Sequence, residues 1–464
     1  MQRFDVIVLG AGPGGYPAAL RAAQRGKKVA LIEEKQWGGT CLHEGCIPSK
    51  ALIAGGRRFA DIAALPQFGI QVSSPALDYA KLVAHKNRVV EKMFGGLTQL
   101  LRTEKNLTLI QGRGTLLSPK QVQVEGQNAG VLEAEALILA TGSVPKTLSL
   151  LPVDGKVVVD STGLLLRKSL PKKLVIVGGG IIGCEFASLY ASFGVSVTIV
   201  ELLSRILPGE SEELSEGLSK AFLQRGIGLE LNYRLHRAEI GEKGVRLHAE
   251  GRSSIEADLC LVAIGRSLRT EQIGLEKAGI QRDATGLIPV NQEMQSPVRG
   301  IYAVGDIASR WWLAHVATHQ GLVAADHICG KKVRFSDRAI PSVIFTDPEI
   351  ATVGLSLAKA SENGLDAKES YFPFGALGKA ESIGKTEGGV RLVFDPKTGQ
   401  ILGAQAMGYE AGTLIGEMAL AIENELTMEC IAETIHAHPT LSEGWMEAAL
   451  QGIGLPLHLR PARR

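Results

Sequence analysis

Two of the six cysteines, Cys41 and Cys46, stand with four residues between them in Gly38-Gly39-Thr40-Cys41-Leu42-His43-Glu44-Gly45-Cys46-Ile47-Pro48-Ser49-Lys50. A Cys-x-x-Cys spacing would point to a thioredoxin-like redox site or half of a zinc site, but this gap is wider and no second pair or nearby histidine cluster completes a metal shell. The Gly-Gly before the pair and the Pro-Ser-Lys after it predict a loop entering a helix, where unpaired N–H groups and a following lysine favour a thiolate. Such a thiolate opens a disulfide or hands electrons to a neighbouring acceptor. The alternatives are a disulfide that only staples a loop, or two inert thiols. Stapled scaffolds are much shorter than this chain, and Cys184, Cys260, Cys329 and Cys430 fall in apolar runs, where they read as small buried hydrophobes.

A redox thiol needs a base, and Ile435-His436-Ala437-His438-Pro439-Thr440-Leu441-Ser442-Glu443 offers one. His438 can move a proton near neutral pH, and Glu443 can hold one ring nitrogen so that the other is basic. Alone, a His-x-His is also a surface or capping feature or a metal half-site; the thiol pair elsewhere in the chain favours the dyad.

The elements that must position these groups begin at the N-terminus. Asp5-Val6-Ile7-Val8-Leu9 reads as a strand, Gly10-Ala11-Gly12-Pro13-Gly14-Gly15 as a glycine turn, the run to Arg25 as a helix, and Val29-Ala30-Leu31-Ile32-Glu33 as a second strand ending in an acid. Gly10 permits the tight turn, Gly12 lets the backbone approach a pyrophosphate, Gly15 lets helix pack on strand, and Glu33 is placed for ribose hydroxyls. A lone Gly-x-Gly-x-x-Gly says little, but one between two strands with an acid at the right distance is specific. The unit recurs: Leu174-Val175-Ile176-Val177, Gly178-Gly179-Gly180-Ile181-Ile182-Gly183, a helix-like run, and Val197-Thr198-Ile199-Val200-Glu201, with the same spacing from first glycine to acid. Two dinucleotide folds imply two dinucleotides. Glu201 accepts ribose hydroxyls and repels a 2′-phosphate, which favours NAD over NADP, although Arg205 could partner a phosphate. Ala136 to Ser143, Leu259 to Arg266 and Ile301-Tyr302-Ala303-Val304-Gly305-Asp306 read as further parallel strands, the last ending in an aspartate able to bond a ribityl or ribose hydroxyl. From about 340 the pattern becomes α+β, with hairpin-like strands at 390–394 and 401–406 and a helix from Glu410 to Glu423.

Composition sets the limits. The 464 residues have room for about three or four domains. Hydrophobic residues at 45% and charged ones at 21% suit a compact protein rather than a disordered one. A net charge of +2, from 50 basic against 48 acidic residues, gives no global signal for nucleic acid. No run is apolar enough to span a bilayer and the start lacks a signal-peptide layout, so a cytoplasmic location is expected, where a close thiol pair reads as catalytic rather than structural.

Over essentially its whole length the chain resembles the pyridine nucleotide-disulfide oxidoreductases, and among them the dihydrolipoamide dehydrogenase branch. The cysteine loop, both glycine fingerprints, Ala140-Thr141-Gly142-Ser143, Ala303-Val304-Gly305-Asp306 and His436-Ala437-His438-Pro439-Thr440 stand in that family's order. The resemblance implies an α/β protein with two Rossmann-like domains and a C-terminal α+β dimerisation domain. It divides the chain into an FAD-binding domain at 1–148, an NAD-binding domain at 149–268, a central segment completing the FAD domain at 269–338, and an interface domain at 339–464. It implies a homodimer in which His438 serves the cysteines of the partner chain, with a lipoyl domain as substrate and the subunit-binding domain of a 2-oxoacid dehydrogenase acyltransferase as docking partner.

Carried over by position, the resemblance makes Cys41–Cys46 a redox-active disulfide, Cys41 the interchange sulfur, Cys46 the charge-transfer thiolate and His438 with Glu443 the acid-base pair. Lys50 is expected near the flavin, with Glu185 as its partner. Gly10, Gly12, Gly14, Gly15, Glu33, Gly114, Thr141, Gly142, Asp306 and Ala314 belong with FAD; Gly178, Gly180, Ile181, Ile182, Gly183, Glu201 and Gly265 belong with the second nucleotide. The reaction implied is oxidation of dihydrolipoamide with reduction of NAD. Glu201 and Ile181 disfavour glutathione-type reduction, the absence of cysteine after Cys430 disfavours mercuric reduction, and both redox cysteines disfavour a one-cysteine NADH oxidase. Another class of role is a flavoprotein acting mainly as an assembly partner.

Several positions depart from the pattern. His43-Glu44 replaces Asn-Val and adds charge between the cysteines. Trp311-Trp312 replaces a Pro-containing pair, Val316 and Gln320 replace lysine and glutamate, and Gly265-Arg266-Ser267-Leu268-Arg269-Thr270 differs from Gly-Arg-x-Pro-Asn-Thr. These are expected to alter packing or reoxidation near the flavin without removing the core chemistry.

Overall fold

The apolar runs of the N-terminal unit form parallel strands whose interior residues are wholly buried, Val6, Ile7, Val8, Ala30 and Leu31 among them. In the computed structural model, which describes residues 2–126 and 129–459, the strand order of this sheet is Leu107–Gln111, Val29–Glu33, Gln2–Leu9, Gly130–Leu139, Gln121–Glu125, Arg113–Ser118. Gly130–Leu139 is long enough to serve two neighbours on its outer edge. Its first half pairs antiparallel with Gln121–Glu125, and its last residues pair parallel with Ile301–Ala303. A strand from far along the chain thus enters the first sheet and carries Asp306 to the ends of the strands that bear Gly10 and Thr141.

The second unit repeats the plan with a parallel sheet in the order Gly228–Glu230, Ser196–Val200, Lys173–Val177, Leu259–Val262, Val158–Val159. A three-stranded antiparallel sheet, Leu235–Gly241, Gly244–Ala249 and Ile255–Ala257, lies beside it. A short antiparallel ribbon of Ser143–Pro145 with Arg266–Leu268 links the exits of the two parallel sheets. The C-terminal third is an antiparallel sheet, Ser342–Ile344, Glu349–Gly354, Ile401–Gly408, Gly389–Phe394, Lys368–Pro373. Helices Ala411–Glu423 and Glu443–Gly452 pack on it, and Trp445, fully buried, donates from its indole to Leu414 O at 3.3 Å.

In both nucleotide units one glycine is required by contact. A Cβ on Gly15 would stand 1.8 Å from Gly10 O, and one on Gly183 would stand 2.0 Å from Gly178 O, so the helices Gly15–Gln24 and Ile181–Ser192 press directly on the turns that precede them. By contrast, Gly12 and Gly180 face open space: a Cβ at either position would meet nothing within 4 Å.

Three local expectations change. Cys41 lies on a one-turn helix, Gly39–His43, rather than in a loop; Gly38 and Gly39, at φ of 100° and 58°, turn the chain into it, and Gly39 packs against the Gly12 backbone. The C-terminal helix begins at Ala411, because Glu410 takes a left-handed conformation at φ 57°. Cys430 is exposed and Cys329 only half-buried: the short helix Met428–Glu433 turns Met428 and Ile431 inward and so turns Cys430 out. Cys184 and Cys260 are buried as expected. Among the described residues, no helix is long and apolar enough to cross a membrane.

Gly15→Ala is expected to lower the thermal midpoint, by overpacking worth about 1–3 kcal/mol. Gly12→Ala in the same protein should stay within about 0.5 kcal/mol. A thermal melt of both variants checks the pair.

Candidate functional site

One cavity of about 1740 Å³ runs from the first fingerprint, past the cysteines, to the second. Its wall includes Gly10, Gly12, Gly14, Glu33, Cys41, Cys46, Lys50, Gly114, Thr141, Gly142, Asp306 and Ala314 from the side of the first sheet. From the second side come Gly178, Gly180, Ile181, Ile182, Glu185, Glu201 and Gly265. Gly15 and Gly183 do not line it, in keeping with their packing role.

The two strand-end acids are held alike. Glu33 Oε2 accepts from Ala11 N–H at 2.8 Å and Oε1 from Lys35 N–H at 2.8 Å. Glu201 Oε2 accepts from Gly179 N–H at 2.6 Å and Oε1 from Leu203 N–H at 2.8 Å. Each carboxylate is thus fixed by backbone donors on both sides of its strand end, with lone pairs left over for a ribose. The open space at Gly12 and Gly180, the paired acids and the continuous cavity fit a dinucleotide at each fingerprint. Arg205 does not line the cavity; its guanidinium donates to Pro208 O and Glu210 O, both at 3.1 Å.

Cys46 is the first residue of the helix Cys46–Asp61, so it sits at a positive helix end, while Lys50 follows one turn later. Neither Cys41 nor Cys46 is disulfide-bonded in the structure. The Cys41 thiol donates to Cys46, and this bond, helped by Lys50 and a backbone N–H, outweighs burial and holds Cys46 down at about 7. The same bond, with burial and the neighbouring sulfur, pushes Cys41 well above the usual thiol range. The two sulfurs are thus pushed in opposite directions, Cys46 toward the thiolate and Cys41 toward the thiol. Lys50 Nζ lies 2.8 Å from Glu185 Oε2 and 3.0 Å from Oε1, and 4.5 Å from the centroid of the Phe345 ring. Glu185 also accepts from Phe345 N–H at 3.0 Å.

His438 and Glu443 meet as expected. His438 Nδ1 lies 2.9 Å from Glu443 Oε1, and Thr440 N–H donates to Oε2 at 2.8 Å. Partial burial opposes ionisation of Glu443, but the Thr440 N–H and His438 hold its carboxyl below the usual range. The ring of His438 is 77% exposed. Neither residue lines the cavity that holds the cysteines. Within one chain, the dyad and the thiols are not brought together.

Other contacts leave no mark in the sequence. Arg266 Nε donates to Ser143 Oγ at 2.7 Å and Nη2 to Ser143 O at 2.9 Å, and Ser143 Oγ donates in turn to Asp306. Asp306 is thereby oriented by a half-buried arginine through a serine. Gln320, buried, accepts from Gly305 N–H at 2.9 Å through Oε1, an acceptor role that needs no charge. The charges added between the cysteines are engaged locally: His43 Nε2 lies 2.9 Å from Trp37 O, and Glu44 pairs with Lys35 at 3.1 Å. Trp312 lines the cavity, Arg310 covers Trp311 at 5.2 Å, and Val316 is buried. Among the described residues, no group of three or more His, Cys, Asp or Glu side chains could hold a metal ion.

Comparison with known proteins agrees with this geometry. The family model described as pyridine nucleotide-disulphide oxidoreductase matches residues 4–321, and the model for the dimerisation domain of that family matches residues 340–449. The dihydrolipoyl dehydrogenase of Chlamydia pneumoniae is 48% identical over 460 residues, covering 99% of each chain. That of Geobacillus stearothermophilus is 40% identical over 459 residues, covering 98% of this chain and 97% of the relative. Among solved structures, LpdA of Mycobacterium tuberculosis superimposes with a TM-score of 0.90 at 28% identity, covering 97% of this chain and 99% of that one. The HOCl-induced flavoprotein disulfide reductase RclA of Escherichia coli gives 0.86 at 27% identity, covering 96% and 99%.

In the dithiol protein, iodoacetamide alkylation of Cys46 should rise with a midpoint near pH 7, the value set by its Cys41 donor and Lys50. The folded Cys46 value lies below the ordinary thiol range, so its own stabilisation is lost as pH falls through about 7, while the raised Cys41 opposes it above the ordinary thiol range. Lys50→Met should move the midpoint upward; an unmoved midpoint contradicts the electrostatic account.

Proposed function

The chain belongs to the pyridine nucleotide-disulphide oxidoreductase family, and from that membership we propose that it oxidises dihydrolipoamide to lipoamide while reducing NAD to NADH. It is an FAD- and NAD-dependent disulfide oxidoreductase of the dihydrolipoyl dehydrogenase type, and its dimerisation domain makes it a homodimer. The observation that carries this reading is the continuous cavity in which Cys41, Cys46 and Lys50 stand between two nucleotide fingerprints.

In this reading residues 1–148 with 269–338 hold FAD, 149–268 hold NAD, and 339–464 form the interface. Gly10, Gly12, Gly14, Glu33, Gly114, Thr141, Gly142, Asp306 and Ala314 cradle FAD, and Gly178, Gly180, Ile181, Ile182, Glu201 and Gly265 cradle NAD. FAD, when bound, accepts the electron pair of the dithiol and passes it to NAD as a hydride. The protein does the rest. In the oxidised enzyme Cys41 and Cys46 share a disulfide. His438 of the partner subunit, held by the partner subunit's Glu443, takes a proton from dihydrolipoamide. The substrate thiolate attacks Cys41, the Cys41–Cys46 bond breaks, and Cys46 leaves as a thiolate that Lys50 stabilises. The second substrate sulfur then attacks the first as its proton passes to the departing Cys41, lipoamide leaves, and the first proton stays on the imidazolium of the partner subunit's His438. The place of Cys46 at the N-terminus of its helix, with Lys50 one turn later, supports this ordering, because both favour a thiolate at Cys46.

The engagement of Arg205 by its own loop and the carboxylate of Glu201 support NAD over NADP. The relatives' name, dihydrolipoyl dehydrogenase, supports a lipoyl group as substrate; its arrival on a lipoyl domain, docking on the subunit-binding domain of a 2-oxoacid dehydrogenase acyltransferase and a cytoplasmic location belong to the same proposal.

Purified protein should reduce NAD with dihydrolipoamide and fail to reduce oxidised glutathione with NADPH. His438→Gln should lower kcat by about 10²–10⁴-fold with flavin still bound, the range for a lost general base. Turnover only with the NADPH pair, or an unchanged rate in His438→Gln, contradicts the proposal.

A further inference from the structure

Glu34 and Arg269 stand on opposite sides of the first nucleotide crevice. Glu34 follows the strand Val29–Glu33, and Arg269 is fastened to the residues that follow the strand Gly130–Leu139. The strand Gln2–Leu9, which leads into Gly10, runs between those two. Two strand spacings therefore separate the anchors, roughly 10 Å. Arg269 Nη2 nevertheless reaches Glu34 Oε2 at 2.8 Å, so the ion pair crosses the end of the intervening strand, where the fingerprint loop begins. Both side chains line the cavity.

Each anchor is rigid before the pair forms. Gln111 Nε2 lies 3.0, 2.9 and 3.0 Å from the carbonyl oxygens of Glu33, Glu34 and Lys35. On the other side, Arg269 N–H donates to Gly142 O at 2.8 Å, and Arg269 O accepts from Thr141 Oγ1 at 2.6 Å. An ion pair between partly exposed side chains is weak when both must be ordered for it; here the backbone on both sides is already ordered. Position 269 is also one where the family pattern carries asparagine, which is shorter and uncharged.

We propose that the Glu34–Arg269 ion pair is a clasp over the adenosine side of the bound FAD and slows its release. The inference rests on FAD occupying the first fingerprint with its ribose at Glu33. A dinucleotide lying in that crevice cannot leave past the pair without parting it, whereas the pair touches neither the cysteines nor the second fingerprint. Glu34 is 44% and Arg269 38% exposed at the side chain, so salt reaches them.

The test is release of flavin from purified holoenzyme, followed by the rise of free-flavin fluorescence at low and high salt. Arg269→Asn should speed release at low salt by roughly fivefold, the upper end for a partly exposed pair, and should abolish most of the acceleration that salt gives the wild type. The swapped double variant Glu34→Arg with Arg269→Glu should return release to within about twofold of wild type. Unchanged release in Arg269→Asn overturns the clasp, as does a double variant no slower than the single one, which would trace the loss to the Thr141–Gly142 backbone. Wild-type protein that binds no flavin overturns the FAD assignment and the clasp with it.

Discussion

The ion pair between Lys50 and Glu185 joins the two nucleotide units inside the cavity that holds the cysteine pair. Lys50 comes from the helix that starts with Cys46, and Glu185 from the helix that starts at the second fingerprint. Glu185 is almost fully buried, so removing Lys50 would leave its charge without compensation in a low-dielectric site, a loss of several kcal/mol in comparable pairs. The lysine is shared: it neutralises Glu185 and lowers Cys46 at once. The groups that favour a Cys46 thiolate come from its own unit, whereas Glu185 of the second unit opposes them and holds Lys50 in place, so the balance depends on the relative placement of the two sheets.

That placement is prepared by repetition. Each unit brings a glycine turn, a helix pressed against it and an acid fixed by backbone N–H groups to the carboxyl end of a parallel sheet, where ligands of such sheets bind. Because the two sheets open into one cavity, the products of the same local design face each other rather than lying on separate surfaces. The ribbon of Ser143–Pro145 with Arg266–Leu268 links the exits of both sheets and carries the arginine that orients Asp306.

The parts legible in the sequence are those written in contiguous residues. Both fingerprints, the Cys41 to Cys46 spacing and the His438 to Glu443 dyad lie within short stretches, so spacing alone determines which groups can meet. The Lys50–Glu185 pair became visible only through the family resemblance, since 135 positions separate its members and neither is unusual in type. The Arg266–Ser143–Asp306 relay, the Gln111 staple and the Glu34–Arg269 pair left no local signal for the same reason. Cys41 read as a loop residue because Gly38-Gly39 is a turn signal, whereas the glycines in fact swing the chain into a helical turn against Gly12. Cys430 read as buried because its neighbours are apolar, and helix phase decided otherwise.

The central claim is that the dithiol in one chain is completed by the base of the other, since His438 lies away from the cavity of its own chain. Co-expression of a Cys46→Ser chain with a His438→Gln chain, each inactive as a homodimer, tests it through the activity of the isolated mixed dimer. Completion across the interface predicts one intact site per mixed dimer and close to half the wild-type rate. A mixed dimer as inactive as its parents would place base and thiols in the same chain and contradict the account.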